Sequence, residues 1–144
     1  MIDARRTPSS RAEIGLPSRK SLIYVVDDDY DVLRSLRFLL ETEGFEVRTF
    51  RSGSALLGSS TRHSADCLVV DYKMAGMDGI AVTTALRAIP ETQGMPVLML
   101  TTKTDEPSTR AGFESGVTDY VTKPFSIPQL ASRVRACLAR AQRP

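Results

Sequence analysis

The amino-acid sequence predicts a doubly wound α/β domain: a five-stranded parallel sheet with helices on both faces. Two observations carry this. Five short apolar runs, rich in β-branched residues, recur along the chain, and segments with apolar residues at helical spacing lie between them. The strand runs are nearly continuous in hydrophobicity, as expected of strands buried on both sides by crossover helices.

Taken in order, Leu22-Ile23-Tyr24-Val25-Val26 reads as the first buried strand. Val32, Leu33, Leu36, Leu39 and Leu40 then recur at helical spacing, with Asp29 placed to cap the start and Gly44 to stop the pattern. Phe45 to Phe50 alternates apolar and polar, a second strand. Ala55, Leu56 and Leu57 suggest a short helix ending near Gly58, and Cys67-Leu68-Val69-Val70 is the third strand. Ile80 to Ile89 reads as a helix closed by Pro90. Val97-Leu98-Met99-Leu100 is the fourth strand. Pro107 marks a helix start and Gly116 its end. Val117 to Val121 reads as the fifth strand. Ser126 can cap a last helix whose inner face is Ile127, Leu130, Val134 and Leu138.

The chain has 144 residues, 42% apolar and 25% charged, which suits one compact soluble domain. The organisation expected is a polar arm over residues 1–20, one domain over 21–141 and a short tail over 142–144. No run is long and apolar enough for a membrane helix, and the polar N-terminus lacks the apolar core of a secretory signal, so cytoplasm is the expected compartment. Two cysteines, Cys67 and Cys137, argue against a disulfide scaffold and a Cys-based zinc site, and the single histidine, His63, rules out any two-His metal site. The net charge of +2 is uneven: +3 over residues 1–20, −6 over 21–120 and +5 over 121–144. A uniformly basic nucleic-acid binder does not look like this. Binding of DNA through the basic ends is the weakest of the readings.

In a sheet of this kind ligands bind beyond the carboxyl ends of the strands. Those positions hold Asp27-Asp28-Asp29 after strand one, Asp71 after strand three, Thr101 and Thr102 after strand four, and Lys123 followed by Pro124 after strand five. Capping of the first helix accounts for one of three consecutive aspartates, not for all. Crowded carboxylates repel one another unless a cation joins them, and hard oxygen donors select Mg²⁺ or a similar ion. An ammonium and a hydroxyl beside such a cluster suit a phosphoryl group. The chemistry indicated is phosphoryl transfer to or from a carboxylate.

Four segments, Leu22–Asp29, Cys67–Gly79, Pro96–Thr102 and Gly116–Phe125, stand in an order and spacing that resembles the receiver domain of bacterial two-component response regulators, the CheY-like fold. The resemblance covers residues 21 to about 141 and implies the strand order 2-1-3-4-5. It implies that Asp71 is the phosphoacceptor for a sensor histidine kinase or a histidine phosphotransfer protein. Asp28, with Asp27 beside it, Asp71 and the backbone carbonyl of Lys73 would hold Mg²⁺. Thr101 matches the hydroxyl that moves to the phosphoryl group, and Lys123 the ammonium that pairs with it. Tyr120 matches the aromatic switch residue, expected to turn inward on activation. The peptide bond before Pro124 is expected to be cis. The face built by helix four, strand five and helix five would change shape and signal to a downstream protein, with a homodimer through that face as another outcome. Such a domain is not an enzyme beyond its own phosphorylation and dephosphorylation.

Some positions depart from the family's pattern. Ala75 stands where Pro is frequent, and Thr102 where a smaller residue is usual. Lys73 and Lys103 occupy two variable positions flanking the acceptor, which suggests altered, slower hydrolysis of the aspartyl phosphate. No helix-turn-helix or catalytic output segment follows, so a stand-alone regulator is expected, acting as a messenger or as a phosphorelay or phosphate-sink intermediate. Two other classes remain open at this stage. One is a phosphatase of the haloacid-dehalogenase type, with Asp27 as nucleophile and Asp29 at its D-x-D spacing. The other is a phosphate-independent interaction module.

Overall fold

The structure, a computed structural model, describes residues 19–141. The arm and tail expected over 1–20 and 142–144 lie outside that range, apart from Arg19 and Lys20. Arg19 is tied to the domain by a two-pronged bond to Asp66, whose carboxylate also accepts the Leu22 N–H at 2.7 Å.

Five strands, β1 (Leu22–Val26), β2 (Glu46–Phe50), β3 (Cys67–Asp71), β4 (Val97–Thr102) and β5 (Asp119–Lys123), form one parallel sheet in the order β2-β1-β3-β4-β5. The α-helices are α1 (Tyr30–Thr42), α2 (Gly53–Leu57), α3 (Gly79–Ala88), α4 (Thr109–Glu114) and α5 (Ile127–Ala141). Two 3₁₀ segments, Pro90–Thr92 and Lys103–Ser108, precede β4 and α4. Doubly wound architecture follows from the alternation of strand side chains. Ile23, Val25, Cys67, Val69, Leu98 and Leu100 point to one side, where Leu33, Leu36 and Leu40 of α1 and Leu130 and Val134 of α5 cover them. Tyr24, Val26, Leu68, Val70, Val97 and Met99 point to the other, under Leu56 of α2 and Val82 and Leu86 of α3. β3, the central strand, is buried along its whole length.

The caps read from sequence hold. Asp29 accepts the N–H groups of Asp31 and Val32, and Ser126 Oγ accepts that of Gln129. Ile127 and Leu138 are partly buried against the same core as Leu130 and Val134. Several boundaries shift by a residue or two, with β3, β4 and β5 running on to Asp71, Thr102 and Lys123, and two of the shifts have a clear physical reason. The segment read as a helix from Pro107 begins as the 3₁₀ segment, and α4 starts only at Thr109. Proline's fixed φ suits a 3₁₀ turn as well as a first α-helical turn, so it does not distinguish them. Strand five was expected from Val117, but β5 starts at Asp119. Val117 is buried by the turn that ends α4, where its N–H bonds to the Gly112 carbonyl at 3.0 Å, so its hydrophobicity reflects packing and not ladder pairing.

Arg87 fastens the far end of the sheet. Its guanidinium donates to the carbonyls of Thr92, Gln93, Met95 and Gly116, binding the turn before β4 to the turn before β5. Gly116, at φ +103, leaves the space the arginine occupies, since a Cβ there would lie 2.7 Å from Nε. Hydrogen bonds to a charged group are worth about 1.5–3 kcal/mol, so Arg87→Met should lower unfolding stability by about 2–4 kcal/mol. Urea denaturation of the two proteins measures this, and equal midpoints would show that the clamp contributes nothing.

Candidate functional site

The crevice between β1 and β3, where strand order reverses, opens at the carboxyl end of the sheet. The expected site residues meet there, and most stand on the strands themselves. Asp71 is the last residue of β3, paired in register with Leu100; Thr101 and Thr102 close β4; Lys123 closes β5 opposite Thr102. Ladder pairing therefore fixes their backbones more firmly than a loop would.

Lys123 Nζ bonds Asp71 Oδ1 directly, forming a charge-assisted pair. The Lys123-Pro124 peptide is cis, as the resemblance implied. Asp71 is 7% exposed and Asp27 3%. Burial pushes the Asp71 carboxyl above the ordinary carboxylate range, although its bond to Lys123 works the other way. Asp27 is raised to about 6, chiefly by burial, with the negative charges of Asp71 and Asp28 adding to it. The Asp29 N–H, 2.9 Å from Asp27 Oδ1, and the Lys123 charge offset part of that.

Asp28 is exposed, and its Oδ2 accepts the Ala75 N–H at 2.8 Å, joining the loop after β1 to the loop after β3. With Asp28 so engaged and Asp71 Oδ1 held by Lys123, no group of three metal-binding side chains stands ready-made among the described residues. The donor chemistry nonetheless fits a hard divalent cation. Three carboxylates converge beside the single ammonium of Lys123, and Asp27, raised chiefly by burial, is raised further by the charges of Asp71 and Asp28.

Thr101 is 4% exposed and its hydroxyl reaches the Thr102 carbonyl at 3.4 Å, a long bond that leaves it able to rotate. Tyr120 packs edge-on to Phe113 with ring centroids 4.9 Å apart, and its hydroxyl occupies a notch over Gly112 of α4. A Cβ on residue 112 would stand 1.6 Å from that oxygen, so only glycine admits the ring in this position. In this conformation the ring packs against α4 and the core.

The sequence reading missed Asp105. Its carboxylate accepts the Thr102 hydroxyl at 2.8 Å and lies 3.6 Å from Lys73 Nζ. It joins the loop after β3 to the segment after β4 at the rim of the site, and its charge reaches Asp71. Lys103, paired with Lys73 in the sequence reading, is exposed and stands apart from this contact.

Comparison with known proteins agrees with this geometry. The family described as the response regulator receiver domain matches residues 23–135. The transcriptional regulatory protein PrrA of Mycobacterium tuberculosis is 42% identical over 118 residues, 82% of this chain and 50% of that protein. The phosphate regulon transcriptional regulatory protein PhoB of Rhizobium meliloti is 40% identical over 120 residues, 83% of this chain and 53% of that protein. The chain thus spans about half the length of these curated relatives. Among solved structures, a putative response regulator from Chloroflexus aurantiacus superposes with a TM-score of 0.79 at 37% identity, covering 85% of this chain and all of that one. The Vibrio cholerae chemotaxis protein CheY4 superposes at 0.77 with 26% identity, over 83% of this chain and 99% of that one. The haloacid-dehalogenase reading gives way to these matches, which are to receiver domains and response regulators.

Asp27 yields a pH test. Its folded pKa of about 6 lies above the ordinary 3.8, so the folded state holds the extra proton between those values. Stability present below pH 4 is therefore lost as the pH rises through 6. Asp27→Asn removes that loss and should be more stable than the native chain by about 2 kcal/mol at pH 7.5, converging with it near pH 4. Thermal melts across pH test this. A variant advantage that does not grow with pH would contradict it.

Proposed function

The chain belongs to the response regulator receiver family, and we propose that it accepts a phosphoryl group on Asp71 from a partner histidine kinase or histidine phosphotransfer protein. The observation that carries this reading is the direct Lys123–Asp71 pair at the switch point, beside the crowded Asp27 and Asp28. Lys123 holds Oδ1, which leaves Oδ2 as the attacking oxygen. The phosphorus–nitrogen bond of the donor phosphohistidine breaks as the oxygen–phosphorus bond forms, and the imidazole leaves. Asp27, Asp28, Asp71 and the carbonyl of Lys73 would hold Mg²⁺, which when bound supplies charge neutralisation for the transferring group. Lys123 then pairs with a phosphoryl oxygen, and the Thr101 hydroxyl rotates from its long contact to another.

Movement of Thr101 reaches the signalling face through β4. Thr102, next in sequence, anchors Asp105 and so the 3₁₀ segment leading to α4. α4 carries Gly112 and Phe113, which hold Tyr120 on β5. A shift at the acceptor thus propagates through contacts already in place to the surface of α4, β5 and α5, where a downstream protein would read it. Among the described residues no helix is long and apolar enough to cross a membrane.

The test is labelling with acetyl phosphate and Mg²⁺, read on a phosphate-affinity gel. The expected result is a shifted band in the native chain, a weaker one in Asp27→Asn and none in Asp71→Asn. An unlabelled native chain beside a labelled control receiver would support a phosphate-independent interaction module instead. Label transferred onward to a histidine phosphotransfer protein would mark a phosphorelay intermediate.

The Lys73–Asp105 contact sets a second expectation. Lys73 sits at the mouth of the site, where its charge and bulk hinder water from reaching the phosphoryl group. Lys73→Asn should shorten the aspartyl-phosphate lifetime several-fold, and Lys103→Glu should change it less. Decay of pre-labelled protein measures both, and equal lifetimes across the three proteins would discard a role for Lys73.

A further inference from the structure

Two arginines at the end of the sheet remote from Asp71 have no anionic partner. Among the described residues every other arginine pairs with a carboxylate or lies over an aromatic ring. Arg87 and Arg140 do neither, and both bond only to backbone carbonyls. They flank one turn: Arg87 Nη2 bonds the Gly116 carbonyl at 2.7 Å, and Arg140 Nη1 bonds the Thr118 carbonyl at 3.1 Å. The acids beside these segments are engaged elsewhere, Glu91 by Arg62 and Asp119 by Arg133.

Both guanidiniums line the same open cavity, of about 270 Å³, at the amino end of β4 and β5. Met95, Pro96 and Cys137 give it an apolar wall, and no acidic residue among those described lines it. Donors are left over. Arg87 keeps one Nη2 proton, and Arg140 keeps those of Nε and Nη2. The Thr118 hydroxyl accepts the Val97 N–H at 2.9 Å, and its own proton has no acceptor among the described residues. Arg87 is half-buried, and burial pushes its guanidinium below the ordinary arginine range, so its charge is poorly hydrated.

Helix dipoles account for part of this charge. Arg87 stands in the last turn of α3 and Arg140 in that of α5. Each helix end carries the equivalent of about half a negative charge, so two arginines leave an excess of about one positive charge. Nothing in the phosphoryl chemistry uses it.

We propose that this cavity binds a small organic monoanion, a carboxylate on a compact apolar body, at a site separate from the phosphoacceptor. The carboxylate lies between Arg87 and Arg140 and takes the Thr118 hydroxyl proton, and the apolar body rests on Met95, Pro96 and Cys137. Guanidinium donors match carboxylate oxygens in geometry as well as in charge. A half-buried cation without a counter-ion favours this, because folding has already removed part of its water. The bound anion would join the end of α3, the turn before β5 and the end of α5.

The experiment is titration of the isotope-labelled folded chain with sodium benzoate at constant ionic strength, without divalent cations, followed by amide and arginine Nε–H chemical shifts. The expected result is saturable shifts at Gly94, Thr118 and Arg140, with a dissociation constant on the order of a few millimolar. Arg140→Gln should weaken binding about fivefold or more. Arg135→Gln, which removes the same charge from an arginine of α5 paired with Glu43, should leave it unchanged. Benzyl alcohol, the neutral analogue, should give no saturable shift. Arg140 is exposed, and the spectrum of its variant reports directly that it is folded. Shifts that do not saturate, shifts centred on Asp71 and Lys123, equal binding of benzyl alcohol, or an affinity unchanged in Arg140→Gln would each overturn the proposal.

Discussion

The crowding of carboxylates at one end of a buried sheet is the constraint on which the rest of the site depends. Asp27 and Asp71 are nearly inaccessible, and Asp28 lies close enough for its charge to reach both. Buried charge is tolerated only when it is paired or partly neutralised. Lys123 supplies one positive charge, and the Asp29 N–H supplies a dipole to Asp27. Neither offsets the cost of burial, which, with smaller contributions from the charges of Asp71 and Asp28, raises the Asp27 carboxyl to about 6. A site strained in this way favours what relieves it, which is the chemistry that the proposed divalent cation supplies.

The sheet makes that strain sustainable. Asp71, Thr101 and Lys123 are held by ladder pairing on three adjacent strands, and the strands are buried between two layers of helices. The parts free to respond lie outward from them: the Ala75 loop tied by Asp28, the Thr102–Asp105 contact, and the short α4 with its Gly112 notch under Tyr120. Rigid acceptor and adjustable rim are adjacent in sequence as well as in space, because each strand ends where its loop begins. A charge change at Asp71 therefore meets contacts that can rearrange without disturbing the core.

How far the amino-acid sequence disclosed this depends on the range of the interaction. The strands were legible because burial on both faces writes a continuous apolar run, and the site was legible because a doubly wound sheet gathers its strand ends on one rim. Asp29 and Ser126 were legible as caps because capping is local. Asp105 was not, since its meeting with Lys73 and Thr102 depends on how two loops approach each other. The Tyr120–Gly112 fit and the Arg87 clamp were hidden for the same reason: each joins residues from different elements, and neither leaves a periodic trace. Val117 misled because a residue buried by a helix-ending turn looks like a strand residue in one dimension.

The measurement that tests the central claim most directly is the melting temperature as a function of Mg²⁺ concentration at pH 7.5, for the native chain and Asp27→Asn. A ligand that binds only the folded state raises its stability until the site saturates. If the carboxylate cluster is held in deficit of positive charge, the native melting temperature climbs with Mg²⁺ and levels off, and the variant, already relieved, starts higher and climbs less. A native melting temperature that does not respond to Mg²⁺, or one that responds equally in both proteins, would contradict the account.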